Sequence, residues 1–412
     1  MSRILMTLLA LGCGNSKTDS LTAAFETEGF TVLSGSVTDF QIEDCERLER
    51  CFGNNASAPY VLFNLPSLNQ DPALLPENAV GQIPRVPETQ RSQYFLEANE
   101  AIVIAGLTPP DSKYFGFTPY LFSRVSETGE RISVFASLTD TLNHTNIQTD
   151  DAPFNSTTAI IYASDDAAMS AAKSALLNQG YKDSAINEVI LPRTGMRYGN
   201  DPTSSDSFLI MGRVALVDDP TLGKSYLENL PLEVYRLTPE LEGSALPVAE
   251  RLARGNGETE DHLQTGLEEL EAAILADAEE TGEVRAITVA SSALVANLIN
   301  PESCILNVTE CKGDNSDTTY AAGPLSVIQA QGQNTLAEDE HFIVYGVNHT
   351  AAGKSTYSNF SVYTQSKRIG VVAVDNSSMP GSADAYLPNH PDKDQFFAYE
   401  VRRDCADRDH CL

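Results

Sequence analysis

The 412-residue chain reads as an α+β protein with mixed and antiparallel sheets. Three observations carry that reading. Short apolar, β-rich runs recur through the first 240 residues. One stretch, 157–239, alternates strand and helix in the order βαββαβ, the ferredoxin-like order. The last third is almost wholly strand and turn.

Taken in order, the runs Phe30-Thr31-Val32-Leu33 and Tyr60-Val61-Leu62-Phe63 predict two strands, followed by a Pro/Asn/Gln-rich loop over 64–90. Ala101 to Ala105 is continuously apolar, as in a central strand covered on both faces. Tyr114 to Ser123 is the densest aromatic run. Ile132 to Ala136 alternates with period two. In the βαββαβ stretch, Ala159–Ala163 is the first strand, and Asp165 and Asp166 stand where an N-cap and a first-turn acid belong. A helix over 168–177 ends at Gly180. Strands at 186–191, 208–217 and 232–237 follow, with a short helix within 218–229. An acidic helix over 258–280 carries Leu263, Leu267, Leu270 and Ile274 at helical spacing, with Gly266 as a weak point. Further strands are expected at 284–291, 342–347, 357–363, 371–374 and 396–401. The expected organisation is a signal segment over 1–14, a polar linker over 15–25, an α+β domain over 26–250, and a helix-plus-β domain over 251–412.

Charge narrows the partners. The formal net charge is −30, without a local basic cluster. Such a chain repels nucleic acid and anionic membrane surfaces. The N-terminus suggests export: a basic start at Arg3, an apolar run from Ile4 to Leu11, then small residues. Ala10-Leu11-Gly12-Cys13 is similar to a bacterial lipobox, with Leu11 a poor fit, so Cys13 is a candidate lipid attachment point and the single expected link to a membrane. The competing reading is a buried N-terminal element. The other six cysteines form near pairs: Cys45 with Cys51, Cys304 with Cys311, and Cys405 with Cys411. Their spacing suits three local disulfides better than a zinc site. Seven N-x-[ST] sequons, at Asn55, Asn143, Asn155, Asn307, Asn348, Asn359 and Asn376, are candidate glycan acceptors if the host glycosylates secreted proteins.

The stretch 346–356, GVNHTAAGKST, ends like a phosphate-binding loop. A Walker loop needs a glycine five residues before Gly353, where Asn348 stands, and a helix after it; Tyr357 to Tyr363 alternates like a strand. The nucleotide reading is rejected. Catalytic candidates are His349 and His341, with Lys354 to neutralise an anionic group and Ser355 beside it. Glu258 and His262 share a helix face but lack a third metal ligand. His390 and His410 read as surface residues, and His144 lies inside the sequon at Asn143. No metal or cofactor is assigned beyond weak calcium at the acidic loops 314–317 and 218–219, neither of which fits an EF-hand. In the aromatic run, Tyr114, Gly116, Thr118 and Tyr120 oppose Phe115, Phe117 and Leu121. That pattern offers a ligand platform at Tyr114, Tyr120 and Arg124, or a core strand with tyrosines at its rim.

The functional expectation is an exported, acidic, disulfide-stapled binding or surface protein acting on an extracellular or envelope ligand. The alternative is an exported hydrolase-like enzyme with its site near His341, His349 and Lys354.

Overall fold

The computed structural model describes residues 15–40, 60–66, 68, 86–87, 89–240, 242–251, 259–282, 300–318, 336–364 and 370–412. The expected signal segment with Cys13, the sequon at Asn55, Glu258 and the strand expected at 284–291 lie outside the described residues. So do Cys45 and Cys51, so the first of the three expected disulfides falls on no described residue. The other two are formed, Cys304 with Cys311 and Cys405 with Cys411.

The fold is mixed α+β, with two sheets packed face to face and two helices on the outer side of the first. The first sheet runs β1 (Phe30–Ser34), β12 (Leu232–Pro239), β5 (Ala101–Leu107), β9 (Thr157–Ala163), β10 (Ile186–Ile190). Strand β5 and most of β9 are apolar because both faces are buried. Ala101, Val103 and Ala105 of β5, with Ala159, Ile161 and Ala163 of β9, meet α1 (Asn15–Thr27) and α2 (Asp166–Asn178). Ile102, Ile104, Ile160 and Tyr162 point the other way, into the space between the sheets. The residues under the helices are mostly small, which lets the helices close on the sheet at normal packing density. Helix α2 is capped as its sequence predicts: the Asp165 side chain accepts from the Ala168 N–H.

Residues 15–25 are not a linker. They form most of α1, and Leu21, Ala24 and Phe25 sit in the helix-side core. The i, i+3, i+4 spacing of these three lies within an otherwise polar stretch, so composition concealed the amphipathic face.

The second sheet runs β2 (Ser36–Asp39), β3 (Tyr60–Pro66), β11 (Ser207–Val217), β6 (Ser112–Val125), β7 (Arg131–Ser137), with β4 (Gln90–Arg91) paired to β3 and β8 (Leu142–Asn143) paired to β6. This layout corrects the ferredoxin-like expectation. The elements occur in the predicted order and β9–α2–β10 is a parallel βαβ unit. Strand β11, however, belongs to the second sheet, while β12 returns to the first after α3 (Pro220–Glu228). The physical reason is the long aromatic β6, which pairs with β11 from Ser123↔Ser207 to Ser112↔Val217. That non-local ladder outcompetes pairing between sequence neighbours.

Residues 300–318 also override the expected boundary near 251. Helix α5 (Pro301–Asn307) is capped by the Asn300 side chain. The Cys304 and Cys311 sulfurs, joined in their disulfide, enter the inter-sheet core. The Cys311 and Gly313 N–H groups then donate to the carbonyls of Val134 and Phe135, covering the open edge of β7. This segment therefore belongs to the first unit, while 259–282 and 336–412 form another core. There Leu263, Leu270 and Ile274, the last two on α4 (Gln264–Thr281), meet Leu387 and Phe396. A Cβ on Gly266 would lie 2.6 Å from the Phe396 ring, so this glycine is where the ring crosses the helix. Strands β13 (Phe342–Val347) and β16 (Phe396–Val401) pair antiparallel, as do β14 (Asn359–Tyr363) and β15 (Gly370–Asp375). The disulfide between Cys405 and Cys411 closes the end.

Candidate functional site

The pleat of β6 places its aromatic run as the sequence predicts. Phe115, Phe117 and Leu121 enter the inter-sheet core. On the opposite, outer face, Tyr114, Thr118 and Tyr120 line a shallow depression with Tyr60, Met211 and Arg213. Cross-strand register builds it. Arg213 is the partner of both Tyr60 and Gly116, so one row across the sheet reads Tyr60, Arg213, Gly116. The Arg213 guanidinium lies over the Tyr60 ring, 5.1 Å from its centroid. A side chain at 116 would fill the floor, since a Cβ there lies 2.6 Å from both the Thr141 methyl and the Tyr114 hydroxyl.

The segment that follows the disulfide of Cys304 with Cys311 forms one rim. The Tyr114 hydroxyl and the Asn143 amide both donate to Asp317 Oδ2, at 2.9 and 2.7 Å. Thr141 donates to Asn315 Oδ1 at 3.0 Å. Asp314 accepts from the Ser137 N–H and hydroxyl, and Arg251 donates to Ser137 Oγ. Burial pushes the Tyr114 phenol well above its usual range, and the Asp317 charge adds to that, so Tyr114 is a neutral donor here. Burial also raises the Asp314 carboxyl, against the Ser137 bonds and Arg251. His144 turns its ring edge-on to Tyr114 and stacks on Phe154; burial lowers its pKa and keeps it neutral. The Tyr357 ring covers Tyr114 from outside, with centroids 5.8 Å apart.

Tyr114 and Tyr120 are thus 6% and 3% exposed. Arg124 is elsewhere. It is buried against Asp206 in a two-point ion pair, and also donates from Nη1 to the Ile305 carbonyl and from Nη2 to the Gly195 carbonyl. A guanidinium so occupied holds loops together and does not take a ligand. Arg124 therefore stands apart from Tyr114 and Tyr120, and the arginine beside them is Arg213. The signal for Arg213 was present: it is the lone charge in Phe208–Val217, two residues from Met211 and hence on the same face.

The histidine candidates do not converge. His341 and His349 stand at opposite ends of β13, separated by a strand that spans roughly 20 Å. Burial, reinforced by Arg402, lowers the His341 pKa. His349 is exposed, and its Nδ1 is 2.8 Å from Glu260. The Ser355 hydroxyl lies beside Thr350 Oγ1 at 3.2 Å, and the Lys354 side chain is exposed. The Lys354 and Ser355 N–H groups both donate to the His349 carbonyl, so the amides a phosphate would need are taken. Strand β14 follows where a nucleotide loop requires a helix.

Two sequons fail sterically. Asn348 is buried, and its carbonyl accepts from Thr350, Ala351 and Ser358. Asn143 is buried with its amide on Asp317. Asn155 and Asn307 are exposed; Asn359 and Asn376 are partly so. The acidic loops are used by the protein itself: Asp219 caps α3, Asp218 pairs with Lys113, and Asp314 and Asp317 accept the bonds above. Among the described residues, no three His, Cys, Asp or Glu side chains are placed to hold a metal ion. Among them, too, no helix is long and apolar enough to cross a membrane.

No family model and no curated protein matches the chain. Among solved structures, the crystal structure of the VPA0106 protein from Vibrio parahaemolyticus aligns over 78% of this chain and 79% of that one, at 11% identity and a TM-score of 0.27. A score that low carries no argument about fold or function.

Proposed function

We propose that the chain is an extracytoplasmic binding protein whose ligand surface is the outer face of the second sheet. One observation carries this reading: a disulfide-tied loop is held over an aromatic sheet face so that Asn315, Tyr114 and Arg213 surround a depression. A phenol, a guanidinium and an amide together suit an uncharged, hydroxyl-rich ligand such as a saccharide unit. The net charge of −30 argues against an anionic one. Two disulfides among the described residues agree with export.

A glycan array tests the site. Wild type is expected to retain a neutral saccharide that Arg213→Ala loses, with unchanged near-UV circular dichroism. Equal binding by the variant, or no saccharide bound at all, refutes the assignment. Export is tested by the intact mass of protein from its own host, before and after reduction and alkylation. Removal of the first residues, or a lipid on Cys13, supports it, as does a third disulfide joining Cys45 and Cys51. An untrimmed chain with free thiols refutes it.

A second reading, a hydrolase-like site at His349, rests on the Glu260 carboxylate that orients its imidazole. It requires that His349→Ala abolish a measured hydrolysis; an unchanged rate ends it.

A further inference from the structure

Arg236 of β12 and Tyr162 of β9 are both register partners of Ile102 on β5, one strand to either side. They therefore flank Ile102 on the sheet face turned toward the second sheet, with Cα atoms roughly 10 Å apart. Tyr94 approaches from the second sheet, where it pairs with Phe208. Tyr94, Tyr162 and Phe208 share the inter-sheet core. The side chains of Arg236, Tyr94 and Tyr162 are fully buried.

Most of the Arg236 guanidinium is engaged: Nε and Nη2 donate to the Glu100 carboxylate, and Nη2 also to Asn200. Its third nitrogen, Nη1, is buried without a protein partner, as are the hydroxyls of Tyr94 and Tyr162. The Tyr94 hydroxyl lies near the Ile210 peptide without a hydrogen bond of normal geometry. Burial raises both phenols well above their ordinary range, and the Arg236 charge opposes this at Tyr94. Buried donors are nearly always satisfied, and where protein does not satisfy them an ordered water does.

We infer that Arg236 Nη1, Tyr94 Oη and Tyr162 Oη hold one buried structural water between the two sheets. The chemistry selects the ligand. Arginine only donates, so the guest must accept; a phenol does either. Water accepts two bonds and donates two, which satisfies all three groups together. A halide would also accept, but Glu100 already neutralises the guanidinium, so it would add an uncompensated charge to the interior.

The experiment is a crystal structure of the full chain from paired crystals, one soaked in bromide. The expected result is a single density peak about 2.7–3.2 Å from the three atoms, without anomalous signal after the soak. No peak there, or a bromide peak, overturns the assignment. In solution, oxygen-17 relaxation dispersion is expected to lose one long-lived water in Tyr162→Phe. An unchanged count in a folded variant overturns it as well.

Discussion

The ion pair beside that site sets the sharpest expectation about stability. Glu100 and Arg236 form an ion pair whose side chains have no solvent exposure. The Glu100 carboxylate accepts from Arg236 Nε and Nη2, from the Thr238 hydroxyl and from the Glu97 N–H. Glu100→Gln keeps the shape and removes one charge. It leaves the guanidinium uncompensated and turns an amide donor toward groups that themselves donate. Breaking a buried pair in this way costs about 3–5 kcal/mol, a large share of the roughly 5–15 kcal/mol that holds a typical domain folded. Arg236→Met is expected to cost a similar amount, because the carboxylate is then stranded. Combining the two removes both charges and should recover much of the loss. The assay is urea unfolding of wild type, both single variants and the double, followed by far-UV circular dichroism, because the chain lacks tryptophan. Strong coupling in the cycle is the expected result. Single variants within about 1 kcal/mol of wild type, well under the cost of breaking a buried pair, or additive effects would refute the reasoning.

Three further outcomes follow from the rim of the depression and its supports. Replacing Cys304 and Cys311 by serine should lower stability by about 2–3 kcal/mol, the value for so short a closed loop, and raise hydrogen exchange at positions 311 and 313, whose N–H groups cap β7; unchanged exchange would show that the loop docks without its tie. Gly116→Ala should cost about 1–3 kcal/mol by overpacking against the Thr141 methyl and the Tyr114 hydroxyl, read by thermal unfolding; a neutral effect would mean that the rim yields freely. Burial raises the folded Asp314 carboxyl above its ordinary value, so the folded state binds that proton more tightly than the unfolded chain. Its contribution is present below the ordinary carboxylate pKa of about 4 and is lost as pH rises through the folded value; loop protection should fall over that window, and the slope should vanish in Asp314→Asn.

The sequence located most elements because their signals are local. The two-sided burial of 101–105 and 159–163, the Asp165 cap, the face assignment along 114–121 and the leucine stripe of α4 were all legible. So were the disulfides of Cys304 with Cys311 and of Cys405 with Cys411, which need only short loops to close. The same spacing argument joins Cys45 and Cys51, outside the described residues, and for that pair it stands on the sequence alone. The nucleotide loop could be rejected from glycine spacing and the strand-like run after it, and the His349 carbonyl that takes both amides supplies the reason in three dimensions. What remained illegible depends on residues far apart in the chain. Arg124 and Arg213 occupy similar strand settings, yet Asp206 claims the first and the Tyr60 ring stacks on the second. His341 and His349 look adjacent on paper, but an extended strand holds them at opposite ends.

By itself, then, the sequence determined the class, most but not all of the strand and helix positions, the acidity and the near spacing of the cysteines that pair, since each follows from period, composition or short loop closure. Only the tertiary structure decided that β11 leaves its neighbours for β6, that 300–318 crosses back to cap β7, and that Arg236, Tyr94 and Tyr162 each bury a polar atom without a protein partner. Those outcomes are set by competition among non-local pairings, where the longest ladder and the best-satisfied buried polar groups prevail, and no window of sequence contains both partners.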